Sequence, residues 1–148
     1  GTGRYADLWV CRYLGVDSDE AYVQFARKHS GARFVRADAA RLPVRNGRFD
    51  MAFCVGVLHH LDDRQVGGMV IEMVRICRPG GMIAMLEPLA PEDGDGLFRR
   101  SLARLERGRY FRRLDPLTSL LRGCLGAALQ VWRERTRPFD LGLYWVRV

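Results

Sequence analysis

Between Arg33 and Leu61 the chain carries two short apolar runs, Phe34-Val35 with Ala37 and then Met51 to Val55. Each has the length of a buried strand, falls short of an ordinary helix and is bounded by chain breakers. The first run stops at Asp38. The second stops at Gly56, directly before Val57-Leu58-His59-His60. An open α/β sheet takes its ligands outside the carboxyl ends of its strands. Asp38 and the backbone at Val55-Gly56 are therefore expected to face one crevice, and that crevice is where a ligand is expected.

The flanking segments predict the same kind of fold. Gly1-Thr2-Gly3 is a glycine turn with no strand ahead of it, and Tyr5, Leu8, Trp9 and Arg12 follow at helical spacing. Tyr13-Leu14-Gly15-Val16 reads as a strand ending at Asp17. Ser18 or Asp19 then caps a helix whose apolar stripe is Tyr22, Phe25 and Ala26. Strand, helix and strand in quick succession predict a parallel sheet with right-handed crossovers. Asp62 or Asp63 starts a longer helix with Val66, Met69, Val70, Met73, Val74 and Cys77 on one face, halted at Arg78-Pro79-Gly80-Gly81. Met82 to Leu86, wholly apolar, predicts a central strand ending at Glu87-Pro88. A loop follows from Leu89 to Gly96. Leu97 to Leu114 reads as an amphipathic helix interrupted at Gly108, with Phe98, Leu102 and Leu105 on one side. Pro116 to Leu129 is a further helix. Val131 to Pro138 and Leu141 to Val148 form an antiparallel hairpin around Phe139-Asp140.

A chain of 148 residues with 48% hydrophobic and 28% charged residues fits one globular domain, 1–148. No apolar stretch reaches the roughly 18 residues of a transmembrane segment. No charged-then-apolar leader is visible. Cys11, Cys54, Cys77 and Cys124 are scattered, without a C-x-x-C or Cys/His cluster, so no metal site is expected. Buried reduced thiols in a cytoplasmic protein fit this pattern. The net charge of +7 is uneven. Residues 1–90 hold 12 basic and 10 acidic side chains, whereas residues 91–148 hold 12 and 7.

Three signals coincide: glycines opening a helix, an acid ending the next strand and an acid ending the strand after it. Glycines let backbone approach a ligand, and a helix start offers free N–H groups. One carboxylate can accept hydrogen bonds from ribose hydroxyls and the other from an exocyclic amine. In this order the segments resemble the class I S-adenosylmethionine (SAM)-dependent methyltransferases, in the small-molecule group. The resemblance runs from Gly1 to about Pro88. It rests on Gly1-Thr2-Gly3, Gly15-Val16-Asp17-Ser18-Asp19, Asp38-Ala39-Ala40-Arg41-Leu42-Pro43, Phe49-Asp50, Val57-Leu58-His59-His60-Leu61, Glu72-Met73-Val74-Arg75 and Arg78-Pro79-Gly80-Gly81.

The resemblance implies a Rossmann-like, mostly parallel sheet with helices on both faces and an antiparallel C-terminal strand. The cofactor it implies is S-adenosyl-L-methionine. Asp17 would bind the ribose hydroxyls, Asp38 the adenine amine and the Ala39 N–H the adenine ring. Gly1 and Gly3 would pack on the methionine portion, and the backbone at Val55-Gly56 would contact its amine. Ser18 stands where the family often sets an apolar residue against adenine. The family's first strand has no counterpart here, so the expectation is a core lacking that strand, in a fragment of a longer product.

Other readings stay open. Gly1-Thr2-Gly3-Arg4-Tyr5-Ala6 also fits the dinucleotide pattern G-x-G-x-x-A, with Asp17 for a ribose, which would make the protein an NAD(P)-binding oxidoreductase. A third reading is a methyltransferase-like module that binds without catalysis. His59 or His60 could serve as a base, but transfer from a sulfonium rests mainly on in-line positioning, so no catalytic residue is assigned. The segment 89–129 is expected to cover the acceptor side as an insertion or lid. Its basic stretch, 97–114, is either a solvated helix or a surface for an anionic acceptor or acidic lipid, a weak membrane-surface contact. A small-molecule or lipid-like acceptor is expected. Nucleic acid is disfavoured, because aromatics do not alternate with the arginines as a stacking platform needs. Oligomeric state is not legible.

Overall fold

The computed structural model describes residues 1–6, 11–105 and 108–148, which form two compact units, 1–43 and 44–148. Leu8 and Trp9 of the expected first helix lie outside the described residues. Ahead of them the chain makes a tight turn, with the Ala6 N–H donating to the Gly3 carbonyl at 2.9 Å.

The first unit contains β1 (Leu14–Asp17), α1 (Glu20–His29) and β2 (Arg33–Arg36). The two strands pair in parallel, from Leu14 with Arg33 to Asp17 with Arg36. Asp19, rather than Ser18, caps α1 by accepting the Ala21 N–H at 2.7 Å. The inward face of α1 is Val23 and Ala26. Tyr22 and Phe25, expected in the apolar stripe, are about half exposed. The reason is the size of the core, which consists of Ala6, Val23, Ala26 and Phe34 with Tyr13 and Ala32 beside them. At its centre the Phe34 ring lies over two glycines. A Cβ at Gly15 would sit 2.1 Å from that ring, and one at Gly3, where φ is +78°, would sit 2.8 Å away.

The second unit contains β3 (Phe49–Val55), a 3₁₀ turn (Leu58–His60), α2 (Asp63–Ile76), β4 (Cys77–Pro88), α3 (Leu97–Leu105), α4 (Leu114–Leu125), β5 (Gln130–Glu134) and β6 (Leu141–Arg147). Its sheet runs in the order β3-β4-β6-β5. β3 and β4 are parallel, while β6 is antiparallel to both β4 and β5. The α/β class, the early parallel pairings and the antiparallel C-terminal strand are as the sequence implied. The hairpin is present too, with β5 at the edge and β6 inside the sheet.

A capping box starts α2: Asp62 accepts the Gln65 N–H at 2.8 Å, and the Gln65 side chain accepts the Asp62 N–H at 2.9 Å. Val66, Met69, Val70, Met73 and Ile76 are buried. Val74 is exposed at the margin of this face, and Cys77 already belongs to β4, both unlike the expected stripe. β4 is also longer than expected and includes Arg78-Pro79-Gly80-Gly81. Phe49 pairs with Cys77 but Met51 with Met82, so four residues of β4 bulge opposite Asp50. Gly80 has φ +79°, and a Cβ at Gly81 would lie 2.8 Å from the Arg78 carbonyl oxygen, so the bulge requires glycine. Cys11 and Cys124 are exposed, against the expectation that all four thiols are buried.

The arginine-rich stretch, expected as a helix interrupted at Gly108, is broken there. α3 is described over Leu97–Leu105, Gly108 to Arg113 is irregular, and α4 begins at Leu114 with Pro116 in its first turn. Arg99 donates to Asp140 at 2.6 Å, to Asp95 at 3.2 Å and to the carbonyls of Thr136 at 2.5 Å and Pro138 at 3.1 Å. Arg133 also reaches Asp140, at 2.8 Å. Burial alone would raise the Asp140 carboxyl, but hydrogen bonds from Arg99 and Arg133 outweigh it and hold the group below the usual carboxylate range.

Two outcomes follow from these contacts. Gly15→Ala drives a methyl into the Phe34 ring and should destabilise the first unit by about 1–3 kcal/mol, read by chemical denaturation; an unchanged midpoint would refute the packing argument. Asp140 has a depressed folded-state pKa, so its contribution is present above the unfolded value of about 3.9 and is lost as pH falls through the folded one. Asp140→Asn should therefore cost about 2 kcal/mol at neutral pH and flatten the acid limb of a melting-temperature profile below about pH 4.

Candidate functional site

In the first unit, the expected nucleoside contacts sit together at the carboxyl ends of the two parallel strands. Asp17 ends β1, and its Oδ1 accepts the Asp19 N–H at 2.8 Å. Its other carboxylate oxygen lies beside the Gly1 backbone nitrogen, which sets Gly1 at the same place. Ser18 is exposed beside it, its carbonyl taking the Arg36 Nε–H at 3.0 Å. The Ala37 N–H donates to the Asp17 carbonyl at 3.0 Å and ties the segments after β1 and β2 together. Asp38, also exposed, closes a turn on itself. Its Oδ1 accepts the Ala40 N–H at 2.8 Å and its carbonyl accepts the Arg41 N–H at 2.9 Å. Ala39 lies in that turn, half-buried. An ionised carboxylate has about four lone-pair sites, so shaping a loop and binding a ligand are compatible roles for both acids. Gly3 lies against Phe34, where a side chain would not fit.

In the second unit, Val55 ends β3 and Gly56 follows with φ +62°, its N–H donating to the Leu86 carbonyl at 2.9 Å. The next residue on β4 is Glu87, 1% exposed. Its Oε2 accepts the N–H groups of Val57 and Leu58 at 3.0 Å each. Its Oε1 accepts the His59 N–H at 3.0 Å and also meets His59 Nδ1. The carboxylate thus collects the donors of the 3₁₀ turn, which have no partner inside so short a helix.

Arg112 takes the opposite polarity of the same turn. Its guanidinium donates to the carbonyls of Leu58 at 2.9 Å and Leu61 at 2.8 Å, and to Asp63 at 2.7 Å. His59 is held inside this grip. The Tyr110 N–H donates to its carbonyl at 2.9 Å, and a Cβ at Gly108 would come within 2.2 Å of its ring. His59 is buried and packed, which is a structural role. His60 is exposed and opens, with Asp62, Gln65, Arg109 and Tyr110, onto a cavity of about 420 Å³.

Glu87 and Arg112 were not among the residues singled out from sequence. Glu87 had one visible signal: a carboxylate closing an otherwise apolar strand. Arg112 had none, being one of seven arginines between Leu97 and Leu114.

Removing the Glu87 carboxylate strands three backbone donors in a buried site. Glu87→Ala is expected to lower unfolding free energy by about 3 kcal/mol or more in a denaturant titration. A loss under about 1 kcal/mol would show that the turn holds without it.

A family described as methyltransferase domain matches residues 1–85, across both compact units. The tRNA (carboxymethyluridine(34)-5-O)-methyltransferase of Arabidopsis thaliana is 29% identical over 102 residues, covering 68% of this chain and 25% of that protein. The demethylmenaquinone methyltransferase of Deinococcus radiodurans is 32% identical over 120 residues, covering 77% of this chain and 46% of that one. The chain thus spans less than half the length of either relative. A solved SAM-dependent methyltransferase from Thermotoga maritima, described as a possible histamine N-methyltransferase, shares the fold with a TM-score of 0.74 at 20% identity, over 99% of this chain and 78% of that one. A match spanning more than half of the sequence decides between the nicotinamide and methyl-donor readings: the chain belongs to the methyltransferase domain family, whose cofactor is S-adenosylmethionine.

Proposed function

We propose that this protein transfers a methyl group from S-adenosylmethionine to an O, N or C nucleophile on a small-molecule or lipid-like acceptor. The observation that carries the reading is the placement of Asp17 and Asp38 at the carboxyl ends of adjacent parallel strands, with the Ala39 backbone beside them. Two carboxylates in that position suit the two hydroxyls of a ribose and the amine of an adenine, and the half-buried Ala39 N–H suits a ring nitrogen. Gly1, Gly3 and Ser18 complete this donor set. Val55 and Gly56 are assigned to the methionine end, with the Gly56 turn held by Leu86 and the following residues by Glu87.

When bound, S-adenosylmethionine supplies an electrophilic methyl on a sulfonium, transferred by in-line displacement. The residues of this chain bind and orient; no base is assigned. Residues 89–129 are proposed to cover the acceptor side. The two relatives named above carry different acceptors in their names; the acceptor class proposed here follows the resemblance to the small-molecule group. Among the described residues no helix is long and apolar enough to cross a membrane.

Calorimetric titration with S-adenosylhomocysteine tests the assignment, with NAD and NADP as controls. The parent protein should bind the first alone. Asp38→Ala should weaken binding about 10- to 100-fold, the worth of a hydrogen bond to a charged group, while its melting temperature stays close to the parent's. Equal affinity in the variant would remove Asp38 from the site, and preference for a nicotinamide cofactor would overturn the proposal.

A further inference from the structure

We propose that α3 is a docking helix for an anionic lipid surface. An ordinary surface helix turns its apolar stripe to the core; α3 half-buries Leu102 and Ala103 but leaves its larger apolar side chains outside. Leu97, Phe98 and Leu105 are 81%, 77% and 77% exposed, and with Ser101 they occupy one side of the helix. The opposite side carries Arg99, whose bonds to Asp140 and to the carbonyls of Thr136 and Pro138 fasten it to the β5–β6 hairpin. An ionic anchor inside therefore fixes an apolar face outside. Three large apolar side chains held together against solvent mark a docking surface rather than scattered exposure.

Charge identifies the occupant. Arg100 is exposed on the same helix, and residues 91–148 carry five more basic than acidic side chains. A second copy of the chain is disfavoured: a two-fold contact sets a patch against itself and would bring like-charged arginines together. A bilayer with anionic headgroups meets both requirements, taking the leucines and phenylalanine into the acyl boundary and the guanidinium into the headgroup layer. Nine residues span about 13 Å, so α3 would lie in the interface and hold reversibly. The inference stands apart from the methyl-transfer reading, because it is measured without cofactor.

Vesicle flotation of the protein is the test, comparing phosphatidylcholine alone with phosphatidylcholine containing phosphatidylglycerol, at low and high salt. Binding to the anionic vesicles should be about tenfold stronger than to the neutral ones and should fall with salt. Replacing the three exposed side chains together (L97S, F98S and L105S) should weaken it at least about tenfold with little change in melting temperature. Single Phe98→Ser and Arg100→Glu variants give the same reading should the triple variant unfold, the first losing affinity and the second losing the preference for anionic lipid. The proposal fails if the parent does not float, if neutral and anionic vesicles bind alike, or if these variants float like the parent. It also fails if the parent forms a concentration-dependent dimer that Phe98→Ser abolishes, since the face would then belong to a second copy.

Discussion

The buried Glu87 carboxylate is the contact on which the geometry of the second unit turns. A charged group taken out of water is costly unless hydrogen bonds replace its hydration. Here three backbone N–H groups and an imidazole do so. The exchange is mutual, because a 3₁₀ turn of three residues cannot satisfy its own first donors. One interaction therefore settles two problems and fixes the path of the chain immediately after Gly56. Arg112 completes it from the carbonyl side, and through Arg112 and Tyr110 the segment 108–112 is bound to the turn.

The arginines show how composition and role can part. An excess of basic residues suggests an external electrostatic field, yet Arg99, Arg112 and Arg113 are engaged in hydrogen bonds and ion pairs with the chain's own carboxylates and carbonyls. The planar guanidinium suits this use, since it can reach several oxygens at once. What remains for an outside partner is narrower than the net charge suggests, and it lies beside an apolar helix face rather than on a uniformly basic surface.

Much of the fold was legible because it rests on local rules. Alternating strand and helix segments, the Asp62–Gln65 cap and the glycines at breaks follow from period, capping and backbone freedom. The candidate cofactor residues were legible for a related reason: acids at the ends of short apolar runs are recognisable in one dimension. Where the reading went astray, a third dimension intervened. Tyr22 and Phe25 obey helical spacing, but two strands offer room only for Val23 and Ala26. Arg78 to Gly81 look like a loop, yet β3 pairs on both sides of them and makes them a bulge.

By itself the sequence determined the elements, their order, the α/β class and the positions of Asp17, Asp38 and Gly56 at strand ends, since each depends on neighbours a few residues away. Tertiary structure alone decided that Glu87 and Arg112 grip one turn, that Asp140 gathers Arg99 and Arg133, and that Leu97, Phe98 and Leu105 of α3 face outward. Those contacts join residues between 7 and 54 positions apart. No period or spacing records such pairs, because which charge meets which donor is settled only when the chain packs.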